Sequence, residues 1–248
     1  MKLTSITHAD AKGAREYMED KHFILELFPE GNLLAVFDGH GGPEAAARAH
    51  LIFSVEFTDA LRFFNGDTYR ALSDSIKCAA IELSEYEAGT TLSAVFIPAE
   101  GDVVHTAVLG DSPILISGIG GIWVGPDHNV RTNPAEREAA EARGGYCDGN
   151  YVFRNMHSMG LQMARALGDS HLKGILSTEP EMSTVPLHNA GFILVATDGL
   201  FDPTHRGFEV SKKQVLELIR RGHEADALVA DALLRQTNDN VTAILARF

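Results

Sequence analysis

The chain predicts an α+β fold built on antiparallel sheets. Apolar runs of strand length come in groups separated by short turns, while helical patterns come as separate pairs. Hairpin-forming turns also outnumber the long crossovers that a parallel sheet requires.

Taken in order, Leu33 to Phe37 is a short apolar run that reads as a buried strand ending at Asp38. Gly39, Gly41 and Gly42 allow a tight turn, and Pro43 suits the first turn of a helix through about Ala49. Asp67 is placed to cap a second helix that carries Leu72, Ile76, Ala79, Ala80 and Leu83 on one face. A β-rich block follows. Thr91 to Ile97 reads as a strand, the residues from Pro98 to Gly101 as a turn, and Val103 to Leu109 as its hairpin partner. Ile114 to Ile116 and Ile122 to Val124 flank the turn from Gly118 to Gly121. Asn133 and Pro134 open a helix that Gly144 ends, and residues 145 to 160 read as an irregular flap. Phe192 to Ala196 is another buried strand. Ser211 with Gln214 matches a capping box that opens a helix to about Arg220. A last helix over roughly 224 to 235 leads to a terminal strand from Val241 to Ala246.

No linker, repeat or low-complexity tract interrupts residues 1 to 248, which predicts a single domain. The formal net charge of −13 argues against nonspecific nucleic-acid binding, which depends on Lys and Arg neutralising phosphates. The N-terminal MKLTSITHAD lacks the apolar core of a signal peptide, and no run approaches the length of a membrane span. Cys78 and Cys147 form no CxxC pair and read as free thiols of a reducing cytoplasm.

Acidic residues recur in turn-like contexts: Glu19-Asp20, Asp38-Gly39-His40-Gly41-Gly42, Gly110-Asp111-Ser112, Asp198-Gly199 and Asp239-Asn240. All but the first adjoin a strongly apolar stretch, as though strand ends deliver carboxylates to one rim. Bringing these like charges together out of water is prohibitive without cations. Oxygen ligands with no Cys or His cluster point to Mg²⁺ or Mn²⁺ rather than zinc.

Arg15-Glu16-Tyr17-Met18-Glu19-Asp20, Asp38-Gly39-His40-Gly41-Gly42, Gly89-Thr90-Thr91, Gly110-Asp111-Ser112, Ala164-Arg165-Ala166-Leu167-Gly168-Asp169, Asp198-Gly199-Leu200-Phe201-Asp202 and Asp239-Asn240 follow one another in that order. The series resembles the type 2C, metal-dependent protein Ser/Thr phosphatases over essentially the whole chain. The resemblance implies a β-sandwich of two antiparallel sheets flanked by helices, with a metal site at one edge. It implies that Asp38 bridges two Mn²⁺ or Mg²⁺ ions, that Gly39 offers its carbonyl, and that Glu19 binds one ion while Asp198 and Asp239 bind the other. Asp20 matches a water-mediated position. Asp111, with Asp198 and Asp202, matches a weaker third metal. Pro113 stands where the family usually has an arginine, which removes a cation beside Asp111.

Two cations sharing a water lower its pKa enough to yield hydroxide near neutral pH, so no nucleophilic side chain is needed. Arg15 is suited to bidentate phosphate binding, and His40 to protonating the leaving alkoxide. The reading is a monomeric, cytoplasmic phosphatase of phosphoserine and phosphothreonine in protein substrates. Two rivals share the pattern: a catalytically silent binding module, and a hydrolase of small phosphate esters. Asp127-His128 reads as a structural turn, and Arg165 and Asp169 as packing and hydrogen-bonding residues near the flap.

Overall fold

A computed structural model describes residues 2–201 and 207–248. Among the described residues, fifteen strands and five α-helices follow in chain order. The first half contains β1 (Ser5–Ala11), β2 (Lys21–Leu27), β3 (Gly31–Phe37), β4 (Gly39–His40), α1 (Glu44–Phe63), α2 (Thr68–Glu82), β5 (Gly89–Thr90), β6 (Leu92–Pro98) and β7 (Val103–Leu109). The second contains β8 (Ile114–Gly118), β9 (Gly121–Val124), α3 (Pro134–Ala142), β10 (Tyr146–Asp148), β11 (Tyr151–Phe153), β12 (Leu167–Gly168), β13 (Glu181–Pro186), β14 (Phe192–Ala196), α4 (Phe208–Arg220), α5 (Ala225–Leu234) and β15 (Val241–Arg247).

Two five-stranded sheets dominate, in the orders β1-β15-β14-β8-β9 and β13-β7-β6-β3-β2, and every strand pair within them is antiparallel. Strand alternation explains why they stack. In β3, Leu34 and Val36 face the other sheet and pack with Ile114, Ile193, Val195 and Ile244. Leu33, Ala35 and Phe37 face the opposite way, onto Phe53 and Phe57 of α1 and Leu72 and Ile76 of α2. The outer face of the other sheet does the same, with Leu194, Ala243 and Leu245 against Val215, Ile219 and Leu228 of α4 and α5. Both faces of β3 and β14 are thus dry, which is why Leu33–Phe37 and Phe192–Ala196 are continuous apolar runs. The layers are helix, sheet, sheet, helix, as the resemblance implied.

Local signals hold at several ends. Asp67 accepts from Arg70 N at 3.1 Å, and Asn133 caps α3 with Pro134 following it. Three expectations are corrected. The first helix runs to Phe63, well past Ala49, because Phe53, Phe57 and Ala60 continue its buried face. The capping box at Ser211 and Gln214 does not open α4: the helix begins three residues earlier, after Gly207, and Ser211 is buried within it. The flap is not wholly irregular, since β10 and β11 form a small hairpin there. Among the described residues, no helix is long and apolar enough to cross a membrane.

Candidate metal centre and its histidine

The register of the sheets brings the acidic turns to one rim. Lys21 pairs with Phe37, so Asp20 and Asp38 leave β2 and β3 side by side. Leu92 pairs with Leu109, which sets Gly110-Asp111 beside Thr91. Thr197 N donates to Thr242 O at 3.0 Å, which aligns the exit of β14 toward Asp198 with the entry of β15 after Asp239.

Asp38 lies at the centre, set deep but partly open to solvent. Its carboxyl is pushed well above the ordinary carboxylate range, first by desolvation and then by the charges of Asp20, Asp198, Asp239 and Asp111. Its backbone is clamped: Asp38 N donates to Thr91 Oγ1 at 3.1 Å, and Thr91 N donates to Asp38 O at 2.9 Å. Thr91 Oγ1 in turn shares a 2.7 Å hydrogen bond with Ser112 Oγ, next to Asp111. Asp111 is raised chiefly by burial, accepts from Asn129 Nδ2 at 2.8 Å, and feels the His40 ring.

Glu19 joins from the other side. Its Oε1 accepts from Gly42 N at 2.7 Å, and its carbonyl passes so near Gly39 that a Cβ there would lie 2.5 Å from it. Gly39 is therefore required by close approach. Asn240 fixes this wall: its Oδ1 accepts from Glu19 N at 2.7 Å, and its Nδ2 donates to Lys12 O and Tyr17 O. Arg15 donates to Asp239 Oδ2 at 2.7 Å and to Asn238 O at 3.0 Å, with its side chain half exposed.

Asp20 is 3% exposed. Its Oδ2 accepts from Thr197 and Thr242 hydroxyls at 2.9 and 2.8 Å, while its Oδ1 is buried with no protein partner. Burial, with a contribution from Asp239, pushes its carboxyl up to about 7. An orphaned buried carboxylate oxygen beside a crowd of repelling carboxylates is what a hard-cation site looks like from the protein side. The donor set is all oxygen, so it fits Mg²⁺ or Mn²⁺. Of the sequence-predicted residues, Glu19, Asp20, Asp38, Gly39, Asp111, Asp198 and Asp239 belong to this rim, with Arg15 on Asp239; Asp202 lies outside the described residues.

A pH dependence follows for the metal-free protein. Asp20, Asp38 and Asp111 hold their protons more tightly folded than unfolded, so they favour the fold below about pH 4 and lose that contribution as pH rises, Asp20 up to about 7. Calorimetry in EDTA should show Asp20→Asn flattening the wild-type fall in Tm across that window, and Mn²⁺ should raise wild-type Tm most at its upper end.

His40 stands beside this cluster, and its Nε2 lies 2.9 Å from Asp169 Oδ2 and 3.0 Å from Oδ1. Asp169 is 1% exposed and takes a left-handed φ of 52° just after β12. Sequence reasoning gave it packing and hydrogen bonding near the flap; its placement makes its partner His40, whose ring it orients. Gly89 makes room for the pair. It pairs with both His40 and Gly168, and a Cβ on it would lie 2.0 Å from Asp169 Oδ2 and 2.4 Å from His40 Nε2. Gly89→Ala should therefore separate the pair and lower kcat by about tenfold or more, as loss of a supporting contact does. Steady-state kinetics beside a thermal melt check this, the melt showing a folded protein.

Nearby, His128 and Arg165 have the structural roles expected of them. Buried His128 accepts from Gly110 N at 3.1 Å, holding the turn before Asp111. Arg165 is ion-paired with Glu136, and each holds the other charged.

The family model described as Protein phosphatase 2C matches residues 5–241. The chain is 29% identical to "Probable protein phosphatase 2C 45" of Oryza sativa subsp. japonica, over 98% of this chain and 87% of that one. It is 32% identical to "Probable protein phosphatase 2C 69" of Arabidopsis thaliana, over 98% and 70%. The fold superimposes on a serine-threonine phosphatase 2C from Toxoplasma gondii with TM-score 0.79 at 22% identity, covering 99% and 95% of the two chains. It also matches the catalytic domain of the phosphatase PstP, solved in complex with two manganese ions, with TM-score 0.61 at 22% identity over 99% and 98%. The class is that of the metal-dependent protein serine/threonine phosphatases. The chain belongs to the protein phosphatase 2C family.

Proposed function

We propose that this chain hydrolyses phosphoserine and phosphothreonine in protein substrates with two Mn²⁺ or Mg²⁺ ions held about Asp38. The observation that carries this reading is the rim of carboxylates around Asp38 with an oriented histidine beside it. Glu19, Asp38 and the Gly39 carbonyl would hold one ion, and Asp38, Asp198 and Asp239 the other, with Asp20 acting through water. When bound, the ions supply Lewis acidity that activates water at neutral pH and offsets charge on the phosphoryl group. Asp111, with Asp198 and Asp202, would hold a weaker third ion; Pro113 adds no cation there.

The side chains then have separate tasks. Arg15, half exposed and already anchored to Asp239, presents N–H donors to phosphate oxygens at the mouth of the site. His40 gives a proton to the departing seryl or threonyl oxygen, and Asp169 holds its ring in place through Nε2. The proton donor is then the other ring nitrogen, Nδ1, or Nε2 after the pair opens. Asn240 keeps the Arg15–Glu19 segment against the rim.

Turnover of a phosphothreonine peptide against phosphorylated metabolites, at equal Mn²⁺, tests the substrate class. A preference for the peptide in kcat/KM supports the proposal, and a preference for the metabolites shifts it to a small-ester hydrolase.

A further inference from the structure

We propose that His8, Asp10 and His22 form a second metal site, selective for a zinc-like transition-metal ion, at the seam between the two sheets. One ligand atom from each lies within 4.8 Å of the others. His8 Nδ1 and His22 Nε2 are 2.9 Å apart, with ring centroids at 4.7 Å. Neighbouring nitrogen ligands on one tetrahedral zinc ion stand about 3.3 Å apart, given Zn–N lengths of about 2.0–2.1 Å. Small movements of these two rings would therefore bring both onto one ion.

The strand periodicity explains how they meet. His8 and Asp10 lie on one face of β1 with Ile6, which packs into the core between the sheets. In the register with β15, His8 stands opposite Ile244 and Asp10 opposite Thr242. On β2, His22 shares a face with Ile24, which packs into the same core. The row of isoleucines along the seam thus ends in two imidazoles and a carboxylate. His8 and Asp10 are exposed and His22 half-buried, so an ion can enter from solvent. The neighbouring cation Lys21 is engaged with the Asp20 carbonyl at 3.0 Å.

Two histidines and one carboxylate form a donor set that suits zinc with a position left for water. The all-oxygen rim around Asp38 suits Mg²⁺ or Mn²⁺, so the two sites differ in preference. Position gives the second site a consequence. β1 and β2 are edge strands of different sheets, and residues 12–20 between them carry Arg15, Glu19 and Asp20. An ion bound to both strands ties the two ends of that segment and so links zinc occupancy to the order of the catalytic rim.

The test adds Zn²⁺ to the enzyme held in excess Mg²⁺ and follows the histidine ring nitrogens by NMR. Zinc retained per chain after dialysis is measured for wild type, His8→Ala and Asp10→Asn. The expected result is a shift of the His8 and His22 ring signals in wild type, with one more zinc retained than in His8→Ala. Zinc should also raise the Tm of wild type more than that of either variant. Loss of His8 should weaken zinc affinity by more than the about tenfold that an outer partner can cost. Unmoved His8 and His22 signals at saturating zinc would overturn the proposal without reliance on any variant. Equal zinc retention by wild type and both folded variants would overturn it as well.

Discussion

His40→Asn should lower turnover of a phosphothreonine peptide by about 10²–10⁴-fold, the usual worth of a positioned general acid. The loss should shrink to about tenfold or less on an aryl phosphate, whose phenolate leaves without protonation. Asp169→Asn should show the same dependence on leaving group at smaller amplitude, because it acts on the ring of His40 through contacts of 2.9 and 3.0 Å. The double variant should be no slower than His40→Asn alone, since residues acting as a unit are not additive. Parallel kcat/KM measurements on the two substrates check all three statements. Equal losses on both substrates would assign His40 to binding or structure.

Asp38→Asn should act in opposite directions on catalysis and on stability. Activity should fall by at least about 10³-fold, comparable to deleting a main electrostatic group of an active site. The metal-free variant should nevertheless melt higher than the metal-free wild type. At neutral pH the fold buries Asp38 and sets it among the charges of Asp20, Asp198, Asp239 and Asp111, so the carboxyl must either stay charged there or take up a proton at a cost, and an amide avoids both without changing shape. A gain on the order of 1–3 kcal/mol is expected, below the about 4 kcal/mol of two full charges 4 Å apart at an effective dielectric of 20. For a chain of this length that is a rise of roughly 2–12 °C in Tm. Mn²⁺ should stabilise wild type and leave the variant almost unmoved if Asp38 bridges the ions as proposed. Thermal melts in EDTA and in Mn²⁺ supply the check.

The strands buried on both faces were legible from sequence almost to the residue, as with Leu33–Phe37 and Phe192–Ala196, because a strand dry on both sides must be continuously apolar. Three of the edge strands were not. β1, β2 and β13 carry His, Asp, Lys, Glu and Ser along rows that meet solvent, so their pattern resembles loop sequence. The length of α1 was hidden by Leu51, Val55 and Phe63, exposed apolar residues that blur its buried stripe. At α4 the local capping signal lost to tertiary packing, since Phe208 stacks on Phe201 and opens the helix one turn early.

The site was legible where chemistry coincided with turns. Asp38, Asp111, Asp198 and Asp239 stand beside apolar runs, and the antiparallel register carries them to one rim. Asp169 was read as packing and hydrogen bonding near the flap without its partner His40, and Asn240 was named only as part of a motif. Asp169 reaches His40 across 129 positions, and Asn240 pins the backbone of Lys12, Tyr17 and Glu19 by contacts no local spacing encodes. The glycine at position 89 carried a usable signal, since a glycine in a motif marks close approach, but what approaches it emerges only from the fold.

The central claim is that carboxylates gathered about Asp38 hold the ions that drive phosphate release. Its most direct test is phosphate release from a phosphothreonine peptide by wild type and Asp38→Asn, each with Mn²⁺ and with EDTA. The account predicts turnover for wild type with Mn²⁺, with near-background rates in the other three conditions. Undiminished turnover in EDTA, or by Asp38→Asn, would contradict it, as would a folded wild-type protein with bound Mn²⁺ that releases no phosphate.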